Sequence, residues 1–492
     1  MPGGVVDPAM ADTPQLPGPP VRGDTAIVSP VPFGLGRDKP QDYREALVAL
    51  WNNRERLGPA WAVLSQGVCD GCSLGSRGLA DDTHPGLHLC RRRLETLAAK
   101  TRGPLLPADL LHVERLRGLP VEELGRLPVP FVRRDSERGF RRVSWDTALR
   151  EAESVLDGAS GLSLASSVTH ETAFAAQALA TLLDMSCWAT GLERWGAART
   201  ELVPARFDAL LDADLILLWG VTAERDQPML LAWLDEAKRR GARVVALGTG
   251  PMHAWVPSRA TSALFGTRIV DDLVAAKDLD GLLGCLLKTL GTAHAEHVHA
   301  GPGVRPAEIA WLARLVGRAS RAVSVCQRLP SGLGALHGEG AGGVVLLDEA
   351  ANAAGLWEQG LRGGEHACIG VGTALTGDRR VYVAETLRPD MLEDTALTVL
   401  LPAQSLYEAG GCLTSSELRV RYSPPVLAPM AESAAPWAIF RELARARGEA
   451  GWDALPWDDE AALREAIGQA HPGYAGLERL DREGDWQLVE VP

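Results

Sequence analysis

Cys69 and Cys72, with Cys90 further along, are the residues whose spacing most directly implies chemistry. A Cys-x2-Cys turn aims two thiolates at one point, and a third cysteine from a neighbouring turn adds another corner. Thiolates select zinc or an iron–sulfur cluster. The fourth ligand is open: His84 and His88 lie close to Cys90, and Ser76 shortly follows Cys72. A structural zinc site of the Cys3His type is the plain alternative, and unliganded thiols are the third. Cys187, Cys285, Cys326 and Cys368 sit among apolar or small residues and read as small core residues.

A second candidate lies where the apolar run DLILLWG (214–220) ends. Gly220, Thr222, Arg225 and Gln227 would line the mouth of a crevice there. A nucleotide phosphate could rest against backbone N–H groups and Arg225. The sequence has no GxGxxG at this point, so an ordinary tight turn is the competing reading. His294, His297 and His299 stand beside Gly and Pro and read as a solvated loop rather than a metal site. Trp188 and Trp195 read as packing residues of a loop.

The elements that must position these residues are legible in outline. Residues 1–40 are a Pro- and Gly-rich arm. A helix is expected at 41–56, then the cysteine segment 61–100, within a domain spanning 41–142. From 143 the pattern becomes α/β. Ser144 is the expected N-cap of WDTALREAESVL, and GLSLASS (161–167) and HETAFAAQALATLL (170–183) follow. DLILLWG, the amphipathic helix QPMLLAWLDEAKRRG and ARVVALG (242–248) form a βαβ unit, hence an open parallel sheet with a crevice at its strand C-termini. RAVSVCQR (321–328), VYVAET (381–386) and TALTVLLPA (395–403) read as further buried strands. The Gly-rich turn 331–343 is expected to lead into a helix at 344–356. Residues 143–430 are thus expected to form two interleaved α/β lobes, and 431–492 a helical segment.

Composition narrows the partners. The chain has 492 residues, 46% hydrophobic and 23% charged, with a formal net charge of −13. That balance argues against nucleic acid and anionic membranes. No apolar run reaches the ~18 residues of a membrane span. No secretory signal is visible, so a cytoplasmic location is expected and clustered thiols point to metal rather than disulfide.

The segments GVCDGCSLG…HPGLHLCRRRLETL and PFVRRDSERGFRRVSWDTAL resemble the N-terminal part of the molybdopterin oxidoreductase family, in its formate-dehydrogenase-like alpha-subunit branch. The resemblance continues through ADLILLWG…QPM, WVPSRATSALFGTRIVDD and DTALTVLLPAQSLYEAGGCLTSSELRVRYSPP, and covers most of 30–486 in order. It implies an iron–sulfur domain followed by α/β domains that hold molybdopterin guanine dinucleotides. On this resemblance Cys69, Cys72 and Cys90 would bind a [4Fe–4S] or [3Fe–4S] cluster. Gly220, Thr222, Arg225, Gln227, Asp280, Glu417 and Arg419 would lie at the dinucleotide. Asp280 matches an aspartate used for guanine, although Leu279 replaces the glycine before it.

The departures concern molybdenum. The position of the family's metal-binding cysteine falls at or near Trp195, and Cys187 lies eight residues earlier. A long stretch expected after 331–343 is shortened, and the C-terminal barrel-like domain is expected to be absent. The resulting expectation is an iron–sulfur protein with a degenerate molybdenum site, acting as an electron-transfer or structural subunit beside another redox subunit. The alternatives are an active formate-dehydrogenase-type oxidoreductase, with Cys187 recruited or another chain completing the site, and a zinc-stabilised scaffold without redox chemistry.

Overall fold

The computed structural model describes residues 43–75, 78, 90–104, 112–159, 161–192, 205–221, 227–248, 255–256, 267–291, 303–337, 343–348, 350–364, 366–480 and 486–489. The chain begins there with a helical layer: α1 (Tyr43–Asn52), α2 (Leu57–Gln66) and α3 (Arg91–Lys100). The single helix expected at 41–56 stops at Asn53. Its fully buried amide turns inward and donates to Ala49 O and Leu94 O, both at 2.9 Å, which ends α1 and ties it to α3. Helix α2, unforeseen from sequence, then closes on Gly67 in the left-handed conformation at φ 71°. Apolar residues of the three helices share one small core with Tyr407 and Leu413.

The chain next lays down β1 (Phe131–Arg134), β2 (Arg141–Arg142), β3 (Gly161–Ala165) and β4 (Ser186–Thr190). It leaves for a second sheet of β5 (Leu215–Trp219), β6 (Arg243–Leu247), β7 (Asp272–Val274), β8 (Ala322–Cys326) and β9 (Val344–Leu346). It returns with β10 (Ile369–Val371), β11 (Arg379–Ala384) and β12 (Leu397–Pro402). The first sheet has seven strands in the order β2-β1-β12-β11-β10-β3-β4, parallel from β12 to β4. The second has five, in the order β9-β8-β5-β6-β7, all parallel.

Both sheets are doubly wound. From β3 the chain moves outward to β4 on one side and comes back as β10 on the other. From β5 it runs through β6 to β7, and then β8 pairs with the opposite edge of β5. Each reversal opens a crevice at the strand C-termini, where open α/β sheets bind ligands. The central strands are buried on both faces, as their near-continuous apolar runs require, whereas the edge strands β2 and β4 are partly exposed. The connecting helices include α4 (Trp145–Leu156), α5 (His170–Leu182), α6 (Leu230–Arg239), α7 (Leu279–Leu290) and α8 (Pro306–Arg318). Ser144 caps α4 as its sequence implies, its hydroxyl accepting from Thr147 N at 3.3 Å.

Two local expectations fail for the same reason. Residues 344–346 form β9 instead of opening a helix, and the helix begins only at Ala353. Trp188 lies in β4 rather than in a loop, its indole held between Gly161 and Gly364, where a Cβ would come within 2.3 Å and 2.6 Å of the ring. Short apolar runs do not declare helix or strand by period, and pairing across the sheet decides. A small antiparallel sheet of β13 (Gly411–Thr414), β14 (Arg419–Ser423) and β15 (Trp486–Leu488) completes the fold. Helices α9 (Pro436–Arg445) and α10 (Glu460–Ala470) pack into the core of the seven-stranded lobe.

Candidate functional site

The cysteine turn follows Gly67 directly. Cys69 is buried and accepts from Gly71 N at 3.2 Å. A Cβ on Gly71 would stand 3.1 Å from that sulfur and 3.0 Å from Thr96 Oγ1, so the turn is too tight for a side chain there. The Cys72 thiol donates to Leu74 O at 3.1 Å. Cys90 is buried and stands in extended conformation at the start of α3. Burial, then the neighbouring Cys69 and Cys90, push the Cys72 thiol up to about 12. Burial raises Cys90 as well, opposed by the Arg93 guanidinium. The three sulfurs therefore sit within one another's electrostatic reach, and burial keeps Cys72 and Cys90 as neutral thiols at neutral pH.

Arginines of β14 hold the turn in place. Arg421 donates to Gly67 O and, at 2.6 Å, to Cys69 O. Arg419 donates to Gly75 O at 2.8 Å and to Glu417 at 3.2 Å. Ser416 N donates to Ser73 O at 2.9 Å. On the other side, Ser73 Oγ donates to Gln227 Oε1 at 3.1 Å, and Gln227 Nε2 donates to Asp348 O at 2.9 Å. The turn is thus a wedge between the β13–β14 hairpin and the mouth of the five-stranded sheet.

This wiring places several residues expected at a dinucleotide. Gln227 is buried and gives both ends of its amide to the protein. Arg419 and Glu417 pair with each other beside the cysteine turn. Asp280, in the first turn of α7, accepts from Ser331 N at 2.8 Å and is exposed. Gly220 ends β5 at φ 65°, where a Cβ would meet Leu279 at 3.0 Å. Thr222, Arg225, Trp195, the three histidines of 294–299, and the fourth-ligand candidates Ser76, His84 and His88 lie outside the described residues. Cys187 is half-buried in β4, its thiol pushed up to about 12 by burial. Among the described residues, no group of three or more His, Cys, Asp or Glu is arranged to hold a single metal ion.

The other switch point holds a feature the sequence did not reveal. A cavity of about 90 Å³ opens where β3 and β10 part, lined by Thr169, Glu171, Gly372, Ser405, Trp437 and Glu460 among others. Thr169 caps α5 there, its hydroxyl accepting from Thr172 N at 3.3 Å. Glu171 is fully buried, accepts from Cys412 N at 3.0 Å and pairs with Arg464 at 2.7 Å. Although burial opposes ionisation, that guanidinium and the backbone amide hold its carboxyl below the usual range. The same Arg464 reaches Glu460 at 2.7 Å, yet burial and the charge of Glu171 push Glu460 up to about 7. Lys100 enters the cavity wall as well, bound to Asp70 and Glu385 at 3.1 and 2.8 Å. The run ASSVTHET, a strand end followed by a helix cap, was the available signal; Glu460 and Arg464 come from the far end of the chain.

No helix among the described residues is long and apolar enough to cross a membrane. Among solved structures, the chain is similar to one chain of the formyltransferase/hydrolase complex (FhcABCD) from Methylorubrum extorquens in complex with methylofuran. The TM-score is 0.39, with 17% sequence identity over 61% of this chain and 95% of that one. The family model of the molybdopterin oxidoreductases matches residues 126–258, the span that carries β1 to β6 and α4 to α6.

Proposed function

We propose that this chain is a non-catalytic subunit of a redox assembly, built on a molybdopterin-oxidoreductase scaffold whose molybdenum site is degenerate. It acts there as a structural or electron-transfer subunit. One observation carries this reading. Two of the described side chains expected to grip a pterin dinucleotide, Gln227 and Arg419, are buried and bonded to the protein instead. Gln227 bridges the cysteine turn to Asp348, and Arg419 holds Gly75 and Glu417. Turning them toward a ligand would strip buried groups of their partners, at about 1–3 kcal/mol each. These positions do not fit a bound dinucleotide.

The cysteine turn is read as an iron–sulfur site. A zinc ion, with bonds of roughly 2.3 Å to sulfur, would need its ligands tightly convergent. A cluster spreads its thiolates over separate irons. Cys69, Cys72 and Cys90 would hold it, and it would supply one-electron transfer. Arg93 and Arg421, the guanidinium groups that act on these sulfurs, would offset the charge of the thiolates.

Metal content of the anaerobically purified protein tests the reading. Iron at about three or four per chain without molybdenum supports the electron-transfer role. Absence of both leaves the structural role. Molybdenum near one per chain overturns the proposal and makes formate the first substrate to assay.

A further inference from the structure

Helices α1 and α2 expose a patch that the core has no use for. Leu47, Val48 and Trp51 form one face of α1, and Leu57 and Trp61 one face of α2. All five are more than half exposed, Trp51 at 67% and Trp61 at 63%. The opposite faces, with Ala49, Ala60, Val63 and Leu64, are buried against α3. The Asn53 amide bonds fix α1 on α3, so the exposed face is preorganised rather than loose. Each face carries one large aromatic, which offers up to about 250 Å². Summed over the two faces, the exposed apolar area is of the order of the largest patches on monomers, which are often functional.

We infer that the α1–α2 face is the docking surface for a different protein chain, one that presents an apolar patch rimmed by carboxylates; this rests on the subunit reading above. Charge selects the occupant. The chain carries −13 overall, yet over 43–66 Arg44, Arg54 and Arg56 outnumber Glu45 and Glu55. Arg54 and Arg56 sit between the two apolar faces, with the Arg54 guanidinium 5.0 Å from the Trp51 ring. A two-fold contact between copies sets a patch against itself. The same arginines would then face each other, within two bodies that already repel. An acidic-rimmed partner meets neither penalty. The α2 face is close in sequence to the cysteine turn, which follows α2 directly at Gly67.

The test uses the full chain, affinity-tagged and purified from its own cells. The readouts are solution mass by light scattering and the composition of the particle, with a photo-crosslinking residue at position 51. The wild type is expected above the 52.5 kDa of a single chain, with a second kind of chain crosslinked at 51. The double variant Trp51→Glu/Trp61→Glu should fall to the single-chain mass with an unchanged circular-dichroism melt. Trp452→Glu, at an exposed tryptophan on the helix Glu449–Ala454, should keep the wild-type mass. Arg54→Glu/Arg56→Glu should weaken the assembly at least about tenfold, one factor of ten for each 1.4 kcal/mol. If the double variant keeps the full particle, the face is not the interface, although the subunit reading survives. A crosslink to a second copy, or to the chain's own residues 1–42, overturns the heterologous partner. A wild type that is a single chain sinks both readings.

Discussion

Glu460 should make this protein less stable as neutrality is approached from below, and replacing it should remove that loss. Arg464 is shared by two carboxylates, Glu171 and Glu460. Glu171, 1% exposed and bonded to Cys412 N as well, takes the greater share of the charge. Glu460 remains partly buried beside a fixed anion, and its carboxyl rises from an ordinary 4.5 to about 7. Between those values the folded chain holds a proton that the unfolded chain has released. Stability therefore falls with rising pH across that window and is flat above it. At about 1.4 kcal/mol per pH unit the loss is at most roughly 3 kcal/mol. Partial exposure of Glu460, 26%, reduces it to the order of 1–2 kcal/mol. Glu460→Gln keeps an acceptor for Arg464 and cannot ionise. Urea unfolding followed from pH 4.5 to 8 should show the variant gaining on the wild type between pH 5 and 7 and more stable than it at pH 8. Parallel curves, or a variant weaker at pH 8, would refute the reasoning.

Two other perturbations read separate parts of the fold. Arg126 and Glu408 form a buried bidentate pair, at 2.8 and 2.5 Å, that joins the segment before β1 to the helix Leu406–Ala409. Arg126→Ala should cost about 3–5 kcal/mol in urea unfolding, because it leaves a buried carboxylate with only Ser405 as partner. Arg126→Lys should recover only part of it, since a single ammonium cannot replace the fork. In metal-free folded protein the Cys72 thiol, pushed up to about 12, should react with iodoacetamide at pH 8 at least ~100-fold more slowly than in urea. Equal rates would show that the thiol is not held neutral by its surroundings.

Local features were legible wherever neighbours in sequence carry the physics. The Ser144 cap, the βαβ unit whose first strand ends at Gly220 and the left-handed Gly241 after α6 follow from side-chain chemistry within a few positions. The cysteine turn was legible as a group of thiols, and the segment containing Glu417 and Arg419 stood out through its resemblance to a family segment. Its present task was not legible. Arg419 and Arg421 bind backbone carbonyls more than 340 positions away, which no spacing rule reports. The break at Asn53 escaped notice because a buried Asn amide bonded across to Leu94 leaves no periodic mark.

The sequence by itself determined the α/β class, the strands that are buried on both faces and the clustering of three thiols beside a helix. These depend on hydrophobic period, turn residues and short spacings. Tertiary structure decided what the side chains beside each crevice face. Gln227 is sealed between Ser73 and Asp348, whereas Glu171 faces a cavity with Glu460. Glu171 and Arg464 are 293 positions apart, and their pairing exists because two strand orders reverse and bring distant helices to one edge. A carboxylate's charge is set by what surrounds it, and only the folded chain fixes those surroundings.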